Sequence, residues 1–286
     1  MSAAGEIVLF DAPEAASGGE VERRLGTFER LWANAALRKS LLIAAIAIIW
    51  ELYARQLDNP LLFPTLSDTF ASLWDHVRDG SLPARTWTTL NVLVLGYAAG
   101  ILLAALLTML AVSTRIGTDF LETMTAMFNP LPAIALLPLA LIWFGLGKTS
   151  LIFVLIHSVL WAVALNTHSG FLAVSQTLRM VGRNYGLRGL GYVARILIPA
   201  AFPSILTGMK IGWAFAWRTL IAAELVFGVS SGKGGLGWFI FENRNTLDIP
   251  SVFAGLVTVI AIGLLVENLV FRNIERRTVR RWGLQG

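Results

Sequence analysis

Long blocks without a charge are the feature that most constrains what this chain can fold into. Several stretches are almost wholly apolar and about 20 residues long, the length an α-helix needs to cross a hydrocarbon core about 30 Å thick. They lie at about 41–57, 87–112, 127–146, 149–169, 204–228 and 250–271, six in all. Only 14% of the 286 residues are charged and 56% are hydrophobic, against about 25% and about 45–50% in soluble domains. A soluble fold with buried helices would have too few charges to cover its surface. The pattern specifies an all-α, polytopic membrane protein with six transmembrane helices.

Other classes drop out quickly. There are no cysteines, which excludes disulfides, thiolate chemistry and Cys-based metal sites. His76, His157 and His168 lie far apart without metal-ligand spacing, so no metal site is expected. The pI near 10 would suit nucleic acid, but the placement of the cations points to membrane lipid instead, and no nucleic-acid partner is expected.

Residues 1–20 carry no lysine or arginine and are expected to form a disordered cytoplasmic tail, not a secretory signal. Between 21 and 40, Arg23, Arg24, Arg30, Arg38 and Lys39 interleave with Leu25, Phe28, Leu31 and Trp32, the pattern of an amphipathic helix lying on the inner membrane surface. The permease-like body is expected at 41–271 and a basic cytoplasmic tail at 272–286. Trp50, Glu51 and Tyr53 end the first span with an interfacial fringe. A short surface helix follows, capped by Ser67 or Asp68, striped by Phe70, Leu73, Trp74 and Val77, and ended by Gly80.

Orientation follows from the cations. With both termini cytoplasmic, fifteen of the 23 lysines and arginines fall inside, among them Arg115, the four from Arg179 to Arg195 and the five from Arg272 to Arg281. Six fall outside: Arg55, Arg78, Arg85, Lys148, Lys233 and Arg244. This is the positive-inside bias of a protein crossing an even number of times.

The fifth span carries Lys210, Arg218 and Glu224, each costly against lipid and so expected to face protein or a water-filled path. Lys210 and Glu224 are within about 40° of one helical face but about 21 Å apart along the axis, so they cannot pair within the helix. Lys210 could also snorkel to the headgroups, and Arg218 could pair with another helix for structure alone. In the third span Pro138, after Pro130 and Pro132, predicts a kink of the sort tolerated beside a pathway. Pro138, Lys210, Trp217, Arg218 and Glu224 are the candidates for a pathway or dimer interface. Gly96, Ala99, Gly100 and Ala104 give the second span a small-residue face for close helix packing.

Between spans four and five the loop at 170–203 is basic, glycine-punctuated and amphipathic, with Pro199 and Pro203 marking a break before the next span. Its regularity suits docking against a soluble partner. No GxxxxGK[ST] occurs anywhere in the chain, so it has no Walker A nucleotide site.

The segment GRNYGLRGLGYVARILIPAAFPSILTGMKIGWAFAWRTLIAAELV resembles the coupling-loop region of permease subunits in bacterial binding-protein-dependent ABC importers, the nitrate/sulfonate/taurine group in particular. LFPTLSDTFASLWDHVRDGSL, NPLPAIALLPLALIWFGLGKTS and FAGLVTVIAIGLLVENLVFRNIERRTVRRWG extend the resemblance in order over about residues 60–283. The family's loop motif is EAA, three residues, Gly, nine residues, then Ile, one residue and Leu-Pro. Gly186, Ile196 and Pro199 fall in register, Ile198 stands where the family has leucine, and Met180-Val181-Gly182 replaces the opening triplet, without its glutamate. The resemblance implies an ABC importer permease fold in the bacterial inner membrane, with a cytoplasmic coupling helix in which Met180, Val181, Gly182, Arg183, Gly186, Ile196, Ile198 and Pro199 contact the ATPase. It implies a cytoplasmic ABC ATPase dimer holding ATP and Mg, a second permease copy forming a homodimer, and a periplasmic or lipid-anchored substrate-binding protein. The chain itself would hold no cofactor and no catalytic residue. The solute would be a small anion of the nitrate, bicarbonate, taurine or alkanesulfonate type.

Two rivals share the spans: a secondary transporter or channel, which would give the long basic loop no role, and a non-transporting membrane assembly subunit, whose buried charges would sit in static pairs.

Overall fold

The computed structural model describes residues 34–227 and 234–281. The tail expected at 1–20 and most of the amphipathic helix expected at 21–40 lie outside the described residues. The chain divides into two units, Met1–Ile49 and Trp50–Gly286. Of the first, the described part is the start of helix α1 (Ala35–Leu57). There the Asn34 side chain accepts a hydrogen bond from the Ala36 amide at 2.9 Å, the way a short polar residue satisfies an orphan amide at a helix start.

The second unit carries the rest of α1 and then α2 (Leu66–Arg78), α3 (Ser81–Ser113), α4 (Arg115–Phe128), α5 (Leu137–Phe144), α6 (Lys148–Leu172), α7 (Gln176–Asn184), α8 (Gly189–Tyr192), α9 (Ile198–Phe227), α10 (Leu236–Asn245), α11 (Ile249–Leu265) and α12 (Arg272–Arg277). Four helical runs are long and apolar enough to cross a membrane: Ser81–Ser113, Lys148–Leu172, Gly189–Val226 and Ile249–Arg277. Two shorter helical segments, Arg115–Phe128 and Ala133–Phe144, form a bent pair that could make a fifth span.

Three expectations change here. The third span is not one kinked helix at 127–146: the segments meet at 88°, and the break falls at Asn129–Pro132, where two prolines in three residues interrupt the amide ladder. Pro138 stands at the second position of α5, where a missing amide costs nothing, so it makes no kink. The first span is helical over Ala35–Leu57, with Glu51 eleven residues after Ser40, and it is not among those four runs. At the end of α9's approach, Pro199 and Pro203 do not break the chain. A π-helical turn at Val193–Leu197 joins α8 to α9 into one continuous run, and such local widening re-satisfies the backbone groups a proline frees.

The core is built on α6, which lies against α3 on one side and α9 on the other. Gly100 makes the first contact close: a Cβ there would stand 2.7 Å from Val159 Cβ. Gly96 and Ala104 line the same buried face, and small residues let helices approach where lipid offers no hydrophobic drive to pair them. Val92, Leu93, Val159 and Leu220 fill the centre of this interface and are fully buried.

Polar ties close the ends. Thr65, not Ser67 or Asp68, caps α2, its hydroxyl accepting from the Asp68 amide at 3.0 Å. Phe70, Trp74 and Val77 are exposed and Leu73 packs against the core, so most of the apolar stripe of α2 faces outward. Its inner face places His76 Nδ1 2.9 Å from Ser81 Oγ and Nε2 3.0 Å from Ser251 Oγ, joining α2, α3 and α11. Trp50 donates to the Pro64 carbonyl at 3.0 Å and packs with Phe63 and Phe253.

Candidate functional site

Two places concentrate the candidate residues. The first is the connection from α6 to α9. Ser175 caps α7 by accepting from the Leu178 amide at 3.4 Å, and Arg179 folds back onto the Val174 and Phe171 carbonyls. The far end is closed by Gly186, whose φ of +73° is the left-handed region open to glycine. Its amide donates to the Arg183 carbonyl at 2.9 Å and the Leu187 amide to the Gly182 carbonyl at 3.1 Å. These paired bonds form a Schellman motif, which fixes where a helix stops and how the chain leaves it.

Gly182 is buried, and a Cβ there would meet Ile196 Cγ1 at 2.9 Å and Tyr192 at 3.0 Å. The structure thus brings Gly182 and Ile196, fourteen residues apart, into contact. Met180, Val181, Arg183 and Gly186 are exposed beside them, as are Tyr185 and Leu190. Ile198 is exposed and Pro199 half-buried. Pro199 and Ile196 line a groove of about 430 Å³ with Val174, Leu178 and Arg195. The result is a rigid surface with large apolar side chains among arginines.

The second place is α9, whose three ionisable groups have three different surroundings. Lys210 Nζ is 2.7 Å from Glu275 Oε2 and 3.9 Å from Glu267 Oε1, which anchors α9 to the C-terminal run. Glu224 is fully buried within this subunit, away from any exposed face. Its carboxylate accepts from the Thr89 hydroxyl at 2.9 Å and from the Gly237 amide at 2.9 Å, and Thr89 in turn accepts from the Leu236 amide at 2.8 Å. Trp217 is also buried, stacked on Trp213 at 6.2 Å. Both side chains are buried within the described residues of this subunit.

Arg218 is different. It is exposed, its Nε donates to the Ala214 carbonyl at 3.0 Å, and its guanidinium stands 5.7 Å from the Phe215 ring centre. It borders a pocket of about 250 Å³ formed by the Asn129–Ile134 break, by His157, Ser158 and Trp161 of α6, and by Phe215 and Thr219 of α9. Sequence reasoning missed His157, Trp161 and Thr219 as members of one site. The i, i+4 spacing of His157 and Trp161 places them on one face, but nothing in it says that Arg218, 57 residues on, lies opposite. Pro138 is exposed on α5 and is not among the residues lining that pocket.

Several apolar helices able to cross a membrane, two of them joined by a basic, partly apolar connector, define a polytopic membrane protein. The chain belongs to the family of binding-protein-dependent transport system inner membrane components, whose profile matches residues 96–280. A protein of Methanocaldococcus jannaschii named as an ABC transporter permease is 30% identical over 78% of this chain and 84% of its own length. The nitrate import permease protein of Synechocystis is 26% identical over 89% of this chain and 94% of its own, and the taurine transport system permease protein of Escherichia coli is 28% identical over 82% and 86%. The chain is therefore a multi-pass inner-membrane permease subunit of an ABC importer and is not itself an enzyme. The match supports neither the channel or secondary-transporter alternative nor the assembly-subunit alternative.

Proposed function

We propose that this subunit forms the translocation path for a small anion, of the nitrate, bicarbonate, taurine or alkanesulfonate type, in an importer driven by a separate cytoplasmic ATPase dimer that holds ATP and Mg. A substrate-binding protein, periplasmic or lipid-anchored, delivers the solute; two copies of this chain pair as a homodimer; α1 crosses as a sixth span, so both termini are cytoplasmic. The observation that carries the reading is the connector around α7. Met180, Val181 and Tyr185 are large apolar residues left exposed on a helix whose end is pinned by Gly186, with Arg183 and Arg188 beside them. Such a surface supplies the apolar anchors and cationic rim of a protein interface. Rigid transmission through it moves α6 and α9 together, because Gly182 locks α7 onto the turn that starts α9. The absence of the family's glutamate at Met180 shifts the docking energy onto apolar contact.

The test is a pull-down of the tagged chain from its native membranes with assay of ATP hydrolysis. An ATPase is expected to co-purify, and exchanging Arg183 and Gly186 together for glutamate is expected to abolish its retention. A chain that is recovered alone yet still moves solute in liposomes overturns the proposal.

A further inference from the structure

A groove of about 510 Å³ runs between α3, α9 and the helical run Ile249–Arg277. It shares no lining residue with the pocket beside Arg218. Trp87, Val94 and Tyr97 line it from α3, Trp213 from α9, and Val270 and Ile274 from the C-terminal run. No charged residue is among its lining. Its aromatic residues hold one another in place. The Trp213 ring meets Tyr97 edge-on at 5.6 Å and Phe271 at 6.3 Å, and the Tyr97 hydroxyl donates to the Met209 carbonyl at 2.8 Å, so the phenol needs nothing from an occupant. Trp87 and Val94 are nevertheless 68% and 58% exposed.

Length narrows what fits. From Trp87 to Tyr97 the groove follows α3 for about 15 Å, half of a hydrocarbon core about 30 Å thick. That is the depth of one leaflet and suits an acyl chain, whereas a protein segment crossing the membrane would need the full thickness.

One end of the groove is cationic. Ile274 lines it from α12, and Arg277 follows one turn later on the same face. Arg272, Arg276, Arg277, Arg280 and Arg281, in α12 and the turn after it, are all exposed, and none is in an ion pair among the described residues. The two carboxylates nearest in sequence, Glu267 and Glu275, face Lys210 at 3.9 and 2.7 Å. The arginines close a run long and apolar enough to cross a membrane, which puts them at headgroup depth. An uncharged groove that ends at unpaired arginines is complementary to a molecule with an anionic head and a long apolar tail.

We propose that this groove binds one anionic phospholipid. An acyl chain lies along Trp87, Val94 and Tyr97 and over the Trp213 ring, and the phosphate meets the arginines of α12. The planar guanidinium fork suits phosphate oxygens with two parallel bonds, and cations clustered beside a span attract anionic lipid. The bound lipid covers the seam between α3, α9 and the C-terminal run.

The experiment is native mass spectrometry of the full chain in non-ionic detergent, titrated with phosphatidylglycerol or with phosphatidylcholine of the same acyl chains. Each arginine near an anionic headgroup is worth about fivefold in affinity, so phosphatidylglycerol is expected to bind at least tenfold more tightly. Arg272→Gln, Arg276→Gln and Arg277→Gln together are expected to weaken phosphatidylglycerol tenfold or more and to leave phosphatidylcholine unchanged. Val94→Phe, which adds a ring to an exposed wall of the groove, is expected to weaken both lipids fivefold or more. Thermal midpoints without added lipid report that the variants fold. Equal affinity for the two lipids, or phosphatidylglycerol binding that survives the triple exchange, overturns the proposal. Binding that falls in the triple variant but is unchanged in Val94→Phe shows a charged surface without a groove site and also overturns it. Val94→Cys carrying a benzophenone maleimide in native membranes is expected to gain the mass of one phospholipid on illumination; a covalent dimer of the chain would show that a second copy fills the groove instead and would overturn the lipid assignment.

Discussion

Glu224 and Lys210 show how far a single helix can separate two similar-looking residues. Both are ionisable groups on one apolar helix, within about 40° of the same face, yet Lys210 ends in an ion pair with Glu275 and Glu224 ends fully buried under Thr89 and Gly237. The neighbours change along the axis: the C-terminal run covers one end of α9, and α3 with α10 covers the other. No spacing rule reaches partners 65 and 135 residues away, so the costliness of these groups was legible in the sequence and their destinations were not. Glu224 holds two donors, the Thr89 hydroxyl and the Gly237 amide, and a buried donor left without an acceptor costs about 1–3 kcal/mol. Glu224→Ala is expected to lower the thermal midpoint of the detergent-solubilised protein clearly. Glu224→Gln, which keeps one acceptor oxygen, is expected to fall between it and the wild type. An alanine variant that unfolds at the wild-type temperature would show that these bonds do not hold α10 to α9.

At the scale of elements, the small-residue face of α3 could be read directly, because glycine and alanine at helical spacing in an apolar run have little use except close approach. Gly186 was marked only as a position of the family's loop motif, and its left-handed φ, which stops the connector helix, shows in the structure. The bend between α4 and α5 was not legible. Pro130, Pro132 and Pro138 look alike in a hydropathy profile, but a proline inside a helix breaks its ladder and one at its second residue does not. Only the position of the helix start distinguishes them. Packing of α3 on α6 offers a quantitative check. Gly100→Val places a branched side chain where a single Cβ would already stand 2.7 Å from Val159, and overpacking of this kind costs about 1–3 kcal/mol. The variant is expected to lose thermal stability, and adding Val159→Ala is expected to restore part of it. Two losses that simply add would mean that the helices do not meet at these side chains.

For the whole molecule, the open matter is how many times the chain crosses, and the charges bear on it more strongly than hydropathy does. Four runs qualify by length and apolarity, and the bent pair is either a fifth crossing or a re-entrant hairpin. Were it re-entrant, Arg115 before it and Lys148 after it would lie on the same side. The run Lys148–Leu172 would then deliver Arg179, Arg183, Arg188 and Arg195 to the side opposite Arg115, and the connector would face away from the cytoplasm whenever Arg115 faces it. Cations near span ends favour the cytoplasmic side, so the four arginines of the connector and Arg115 belong together there, which requires the bent pair to cross. The chain contains no cysteine, so single substitutions can report sidedness without background, and Arg115 and Lys148 are both exposed. In right-side-out spheroplasts, Lys148→Cys is expected to react with a membrane-impermeant maleimide and Arg115→Cys only after permeabilisation. If both react from the same side, the pair is a hairpin, the connector and Arg115 lie on opposite faces, and the path would be lined by a re-entrant Asn129–Pro132 turn between the spans.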